Sequence, residues 1–192
     1  MALEEEFTRA WKRRGGLGSL GNETNDEKER IWWYTLVREV FEPQGSMPNF
    51  DEFFHVLHSS FVEKHLWEIY SEVEEVLTDL KKKGFILGIV SNWDLRLPTV
   101  IKNLELTSYF DFLVSSSACG ATKPAAKIFQ EALKQAKARP HEAVHVGDTY
   151  EEDFIGAEAV GIKALLLDRQ GCGNTVPEEF RITNLKELHE RL

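Results

Sequence analysis

Residues Ala143–Asp153 read AVHVGDTYEED, an apolar run that breaks into a cluster of acids. Ala143–Val146 has strand character, Gly147 interrupts it, and Asp148 stands where a strand gives way to a loop. Glu151, Glu152 and Asp153 follow, then a helical pattern through Phe154, Ile155, Ala157, Ala159 and Val160. Ligands of open α/β sheets bind outside the carboxyl ends of the strands. Two carboxylates placed there, Asp148 and Asp153, suit a hard cation with oxygen ligands and retained waters, which is Mg²⁺. Taken alone, the same acids fit a turn residue and a helix N-terminal acid equally well.

Two further stretches add complementary chemistry. The apolar run Phe85–Val90 ends in Ser91–Asn92, and Lys123 precedes Pro124 at the start of a helix. Each has an ordinary alternative, a helix-entry turn for Ser91–Asn92 and a solvated loop lysine for Lys123. Together they meet the needs of a phosphoryl group. Ser91 and Asn92 bind its oxygens, Lys123 offsets its charge, and a cation on Asp148 and Asp153 neutralises the rest. Lys123 and Asp148 are thus the candidate catalytic residues.

These stretches must be positioned by an alternation of helix and strand that begins near Glu68. Ser71–Lys83 is predicted as a helix ended by Gly84, and Phe85–Val90 as a strand buried on both faces. Then come a helix over Arg96–Leu106, a strand over Phe112–Val114, and a helix over Ala125–Ala136 with Pro124 at its first turn. The Ala143–Val146 strand, a helix over Glu151–Val160, a strand over Ala164–Leu167 and a helix over Asn184–Arg191 complete the series. Such alternation implies right-handed crossovers and a parallel sheet.

The part before it, residues 1–67, is helical throughout. Leu3–Arg14 and Asp26–Phe41 are predicted helices separated by the Gly/Asn-rich GGLGSLGNETN. A third helix, capped by Asn49 or Asp51, runs through Phe53, Phe54, Leu57, Phe61 and Val62 toward Trp67. Trp32 and Trp33 read as helix-packing core rather than a ligand platform. His55, His58 and His65 read as partly exposed helix residues, since no Cys or acidic partner completes a zinc pattern. The lobes divide at residues 1–67 and 68–192.

Composition excludes several classes. The 192 residues are 42% hydrophobic, enough for a core, and carry a formal charge of −9. No basic run exceeds Lys81–Lys83, so neither nucleic acid nor an anionic membrane is an expected partner. Cys119 and Cys172 lack metal-type spacing and point to a reducing compartment. No apolar run approaches the roughly 18 residues of a membrane span. The acidic start MALEEEF shows no leader, and a cytoplasmic location is expected.

The three stretches resemble motifs of the haloacid dehalogenase-like hydrolases. IVSNWD (Ile89–Asp94) is similar to the second motif, with Ser91 as phosphate-binding hydroxyl. TKP (Thr122–Pro124) is similar to the third, with Lys123 as its lysine. VGDTYEED (Val146–Asp153) is similar to the fourth, with Asp148 and Asp153 as metal-site acids. The resemblance implies a Rossmann-like parallel core with a helical cap inserted after the first strand. It also implies Mg²⁺-dependent hydrolysis of a small phosphorylated substrate.

Two departures qualify this. The family's first motif, a strand ending in an Asp nucleophile with a second Asp two residues on, has no counterpart among these residues; the sequence begins inside the cap. No aspartyl-phosphate can then form. The sheet also loses its central strand, so Phe85–Val90 and Ala143–Val146 must pair directly or leave unpaired backbone groups. Secondly, Ala125 stands where the family commonly has Asp, which leaves the orientation of Lys123 open. The expected function is that of this hydrolase lineage, inactive without its nucleophile. A truncated chain is preferred to a dead phosphate- or partner-binding module, because losing a central strand is poor design for a stable module.

Overall fold

A computed structural model of the chain describes residues 3–45, 47–171 and 176–192. Cys172 lies outside them. Helix α1 (Leu3–Arg14) carries Glu4–Glu6 in its first turn and Lys12, Arg13 and Arg14 in its last, matching its dipole at both ends. Helix α2 (Asp26–Phe41) starts where Asn25 accepts the Lys28 N–H at 2.9 Å. Its buried face is Trp32, Leu36 and Val40, one residue per turn, packed with Ala10 and Leu17. Trp11 meets Trp32 edge-on, ring centroids 5.2 Å apart, so the tryptophan pair is packing core as the spacing predicts.

Helix α3 (Phe50–Ser60) is shorter than the apolar pattern suggests. The chain turns after Ser60, whose carbonyl accepts the Glu63 N–H, and a single 3₁₀ turn covers Lys64–Leu66. Apart from one antiparallel bridge, Asn22 with Ala121, the described residues before 68 hold only helices and turns. That bridge ties the helical part to the core, together with the Thr122 N–H donated to the Gly21 carbonyl at 2.9 Å.

The remainder alternates as expected. Helix α4 (Val73–Lys82) leads to β1 (Gly88–Ser91), α5 (Leu97–Asn103), β2 (Phe112–Ser115), a short α6 (Ser116–Cys119) and α7 (Ala126–Ala136). Strand β3 (Val144–Gly147) is followed by one π-helical turn over Tyr150–Ile155 and a short α8 (Gly156–Glu158). Strand β4 (Lys163–Leu167), β5 (Arg181–Ile182) and α9 (Leu188–Arg191) complete the fold. All the strand pairings are parallel. Strand β1 starts later than the Phe85–Val90 run because its partner begins at Phe112, opposite Gly88. Phe85 and Ile86 precede the ladder and are exposed.

The strands form two sheets, β1–β2 and β3–β4–β5, with no pairing between β1 and β3 among the described residues. Of the two outcomes for a core without its central strand, the unpaired one is observed. Helices hold the halves together instead. Ile128, Phe129 and Ala132 of α7 pack with Val90 and Val114 of the first sheet and Ala164 of the second. Val76 and Leu80 of α4 pack with Leu87 and with Val144, Val146 and Leu165. The core is therefore α/β and parallel, with the outer edges of β1 and β3 lacking ladder partners among the described residues.

The helix predicted over Glu151–Val160 is present over residues 150–158, but its first turn is π-helical. The Asp153 and Phe154 N–H groups both reach the Thr149 carbonyl, at 2.9 and 3.3 Å, which widens the first turn. Turns of this kind recur at functional sites. Gly156 lets that turn sit against Phe129, which a Cβ would meet at 2.8 Å.

Candidate active site

The carboxyl ends of β1 and β3 come together through side chains. Ser91 ends β1, and Asn92 follows it as a clamp on the lysine segment. Asn92 Oδ1 accepts the Lys123 N–H at 2.6 Å, and Nδ2 donates to the Lys123 carbonyl at 3.1 Å. The same Nδ2 donates to Glu152 Oε2 at 2.9 Å. An amide is suited to this because it presents one acceptor and two donor hydrogens. The Lys123 backbone is thereby fixed from the end of β1, and its ammonium is fixed from the end of β3.

Lys123 Nζ donates to Asp153 Oδ1 at 2.6 Å. His145 Nε2 lies 2.9 Å from the same oxygen, and Oδ2 accepts the Thr149 N–H at 3.1 Å. Asp153 is 3% exposed and Lys123 9%. Burial alone raises the Asp153 carboxyl, but the bond from His145 and the charge of Lys123 outweigh it and hold the pKa down at about 2. Gly147 makes room for this carboxylate, since a Cβ there would lie 2.1 Å from Asp153 Cγ. The orientation of Lys123, which Ala125 leaves open, is thus set by Asp153 and Asn92.

Asp148 follows β3 directly and is exposed; the Thr149 hydroxyl approaches its Oδ1 at 3.4 Å. Ser91 is half-buried. Asn92, Lys123 and Asp153 are joined by hydrogen bonds, whereas Ser91 and Asp148 stand beside that cluster by chain adjacency.

Three participants escape the motif reading. His145 interrupts the apolar run of β3, and a polar residue inside an apolar strand run is the signal that could have found it. Glu152 looks like an ordinary helix-entry acid in sequence. In the fold its Oε1 accepts the Gly18 N–H at 3.2 Å, so it bridges the helical part to Asn92. Burial raises its pKa, with Lys123 opposing. Asp94 is 4% exposed and is gripped by the Arg96 guanidinium, whose Nη2 lies 2.6 Å from Oδ2. His58 Nε2 is 3.5 Å from the same oxygen. Burial opposes ionisation of Asp94, but His58 and Arg96 hold its carboxyl well below the ordinary range. The acidic partner that the His55, His58 and His65 spacing does not supply locally comes to His58 from after β1.

The donors suit Mg²⁺ in kind, being carboxylate oxygens, but they are few. Asp148 is open. A cation on Asp153 would have to compete with Lys123 and His145 at Oδ1. Among the described residues no group of three or more His, Cys, Asp or Glu side chains is arranged to hold a metal ion. Asp148 and Asp153 therefore offer some of the oxygen donors a Mg²⁺ site needs, and not a full set among the described residues.

Comparison with known proteins agrees with the family resemblance. Residues 12–167 match the haloacid dehalogenase-like hydrolase family. The chain is 30% identical over 195 residues to haloacid dehalogenase-like hydrolase domain-containing protein 3 of Danio rerio, spanning 99% of this chain and 81% of that protein. It is 28% identical over 178 residues to the phosphoserine phosphatase of Thermus thermophilus, spanning 90% and 68%. Among solved structures, a HAD phosphatase from Thermococcus onnurineus superposes with a TM-score of 0.67 at 26% identity, covering 98% of this chain and 86% of that one. On the strength of the matched residues and these relatives, the chain belongs to the haloacid dehalogenase-like hydrolases.

Proposed function

We propose that this site serves Mg²⁺-dependent hydrolysis of phosphate esters on a small phosphorylated molecule, and that these 192 residues alone do not turn over. The observation that carries the reading is the convergence of Asn92, Lys123 and Asp153 at the carboxyl ends of β1 and β3, with Asp148 open beside them. In it, Ser91 and Asn92 bind phosphate oxygens, Lys123 offsets their charge, and Asp153 holds Lys123 in place. Asp148, with Asp153 as a second acid, holds the cation, which when bound neutralises charge on the phosphoryl oxygens. Residues 1–67 act as the cap over a core of residues 68–192. A phosphatase relative supports the substrate class.

Among the described residues no carboxylate stands as nucleophile at the end of a strand between β1 and β3, and the covalent step needs one. The test is an extended chain carrying an upstream strand that ends in Asp-x-Asp. With Mg²⁺ it gains aryl phosphatase activity that Asp148→Asn removes. An extended, folded chain with no such activity would sink the proposal. A second reading, a phosphate-binding module without catalysis, is favoured by Glu152, whose carboxylate already occupies an Asn92 donor. Inorganic phosphate binding that strengthens in Glu152→Gln, without turnover in the extended chain, would select it.

A further inference from the structure

Glu152 rests its carboxylate on two donors that come from different parts of the chain. Its Oε2 accepts from Asn92 Nδ2 at 2.9 Å, and its Oε1 accepts the Gly18 N–H at 3.2 Å. A side-chain amide and a backbone N–H converging on one anion is a recurring way to hold an oxyanion. Gly18 lies in the 3₁₀ turn Leu17–Leu20, and a side chain would not fit there. A Cβ would lie 2.8 Å from Glu152 Oε1 and 2.9 Å from the Lys123 carbonyl oxygen. The turn is docked without help from Glu152, since the Thr122 N–H and Oγ1 donate to the Gly21 carbonyl at 2.9 and 3.1 Å. The Gly18 donor therefore stays in place when the carboxylate leaves. The carboxylate itself is poorly compensated. Burial raises its pKa, the charge of Lys123 and the two donors oppose this without cancelling it, and the neighbouring Asp153 repels it. Glu152 is half-buried, so one side of it is open to solvent. We propose that Glu152 is an internal competitor: its carboxylate fills a cradle, made by the Gly18 N–H and Asn92 Nδ2, that receives an oxyanion of the ligand once Glu152 swings out. This makes Gly18, from the helical part, a ligand-binding donor and makes Glu152 the residue that sets the affinity.

The inference rests on the phosphate reading for the class of ligand, but not on turnover. Inorganic phosphate is the probe, titrated into the ¹⁵N-labelled chain and followed by NMR. In the wild type the Gly18 amide cross-peak should move saturably. Glu152→Ala vacates both donors and should bind phosphate about tenfold tighter or more, the worth of roughly two net hydrogen bonds that no longer have to be given up. Glu152→Gln should fall between the two. Its amide oxygen can accept from Gly18, but its NH₂ then faces the Asn92 donor. Glu151→Ala removes the same formal charge from an exposed neighbour, and screening should hold its effect below about twofold at about 0.15 M salt. A purely structural Glu152 would leave affinity unchanged or weaken it on removal, so a gain separates the two roles. Unchanged or weaker binding in the folded Glu152 variants, equal tightening by Glu151→Ala, a Gly18 amide that does not respond, or no saturable phosphate binding by any of these proteins would overturn the proposal. Hydrolysis by the extended chain is measured separately, so the phosphate reading stands or falls on a different result.

Discussion

Lys123 Nζ and Asp153 Oδ1 lie 2.6 Å apart with side chains 11% and 4% exposed, and this pair joins the segment before α7 to the turn after β3. Removing one charge from such a pair leaves the other buried without compensation, at a cost of ~3–5 kcal/mol. Here His145 offers Asp153 a second partner, so Lys123→Met should fall at the lower end of that range. Asp153→Leu should be similarly destabilising, and the double variant should lose less than the sum. Urea unfolding of the four proteins measures the coupling; strict additivity would show that the pair contributes nothing as a pair.

Gly147 is needed for space and not for backbone conformation. A methyl group there would lie 2.1 Å from Asp153 Cγ and 2.4 Å from its Cβ. Gly147→Ala should therefore destabilise by ~1–3 kcal/mol, the range for overpacking a filled site. The denaturation midpoint should fall with an unchanged slope. An unchanged midpoint would mean that the Asp153 turn yields easily.

Buried acids on either side of the helix–core contact should respond to pH with opposite sign. Glu29 on α2 is fully buried and accepts from Thr24 at 3.2 Å. Burial raises its carboxyl above 4.5, while the hydroxyls of Ser116, Ser117 and Thr24 oppose this. An acid whose pKa is higher folded than unfolded favours the native state at low pH and loses that contribution as pH rises through the folded value. Glu29→Gln should thus gain stability relative to wild type at neutral pH, and the gain should shrink as pH falls through the folded value and vanish by about pH 4.5.

Asp94 is the converse case, with its pKa depressed from 3.8. Its contribution is present above that value and is lost as pH falls toward the folded one. Asp94→Asn should destabilise the protein at neutral pH, with a deficit that narrows only in strong acid. Thermal melts of wild type and both variants across pH separate the two trends. A constant offset for either variant would contradict its assignment.

Periodicity and motif spacing reveal most of this architecture for physical reasons that can be named. Helices α1 and α2 match their predicted bounds because dipole-matched charges and the Asn25 cap mark their ends in sequence. The apolar runs around Val90, Val114, Val146 and Leu166 are parallel strands and stand out by their continuous hydrophobicity, although β1, expected to be buried on both faces, and β3 are only half-buried. Strand β5 escapes notice because two residues, Arg181–Ile182, carry no period. The π turn at Tyr150–Ile155 escapes because helical spacing cannot register a widened first turn. Of the candidate residues named from their stretches, the structure joins Asn92, Lys123 and Asp153 by hydrogen bonds. His145, Glu152 and the contact of His58 with Asp94 could not be named in this way, because their roles depend on partners 8 to 134 residues away.

The most direct measurement is hydrolysis of p-nitrophenyl phosphate by the 192-residue chain with Mg²⁺, beside its Asp148→Asn variant. A site without its nucleophile should show no turnover above the uncatalysed rate in either protein, because losing one member of a cooperating catalytic set forfeits most of the acceleration. Robust hydrolysis by the wild-type chain that disappears in Asp148→Asn would contradict this. It would make another residue the nucleophile or base, with Ser91 the first to examine.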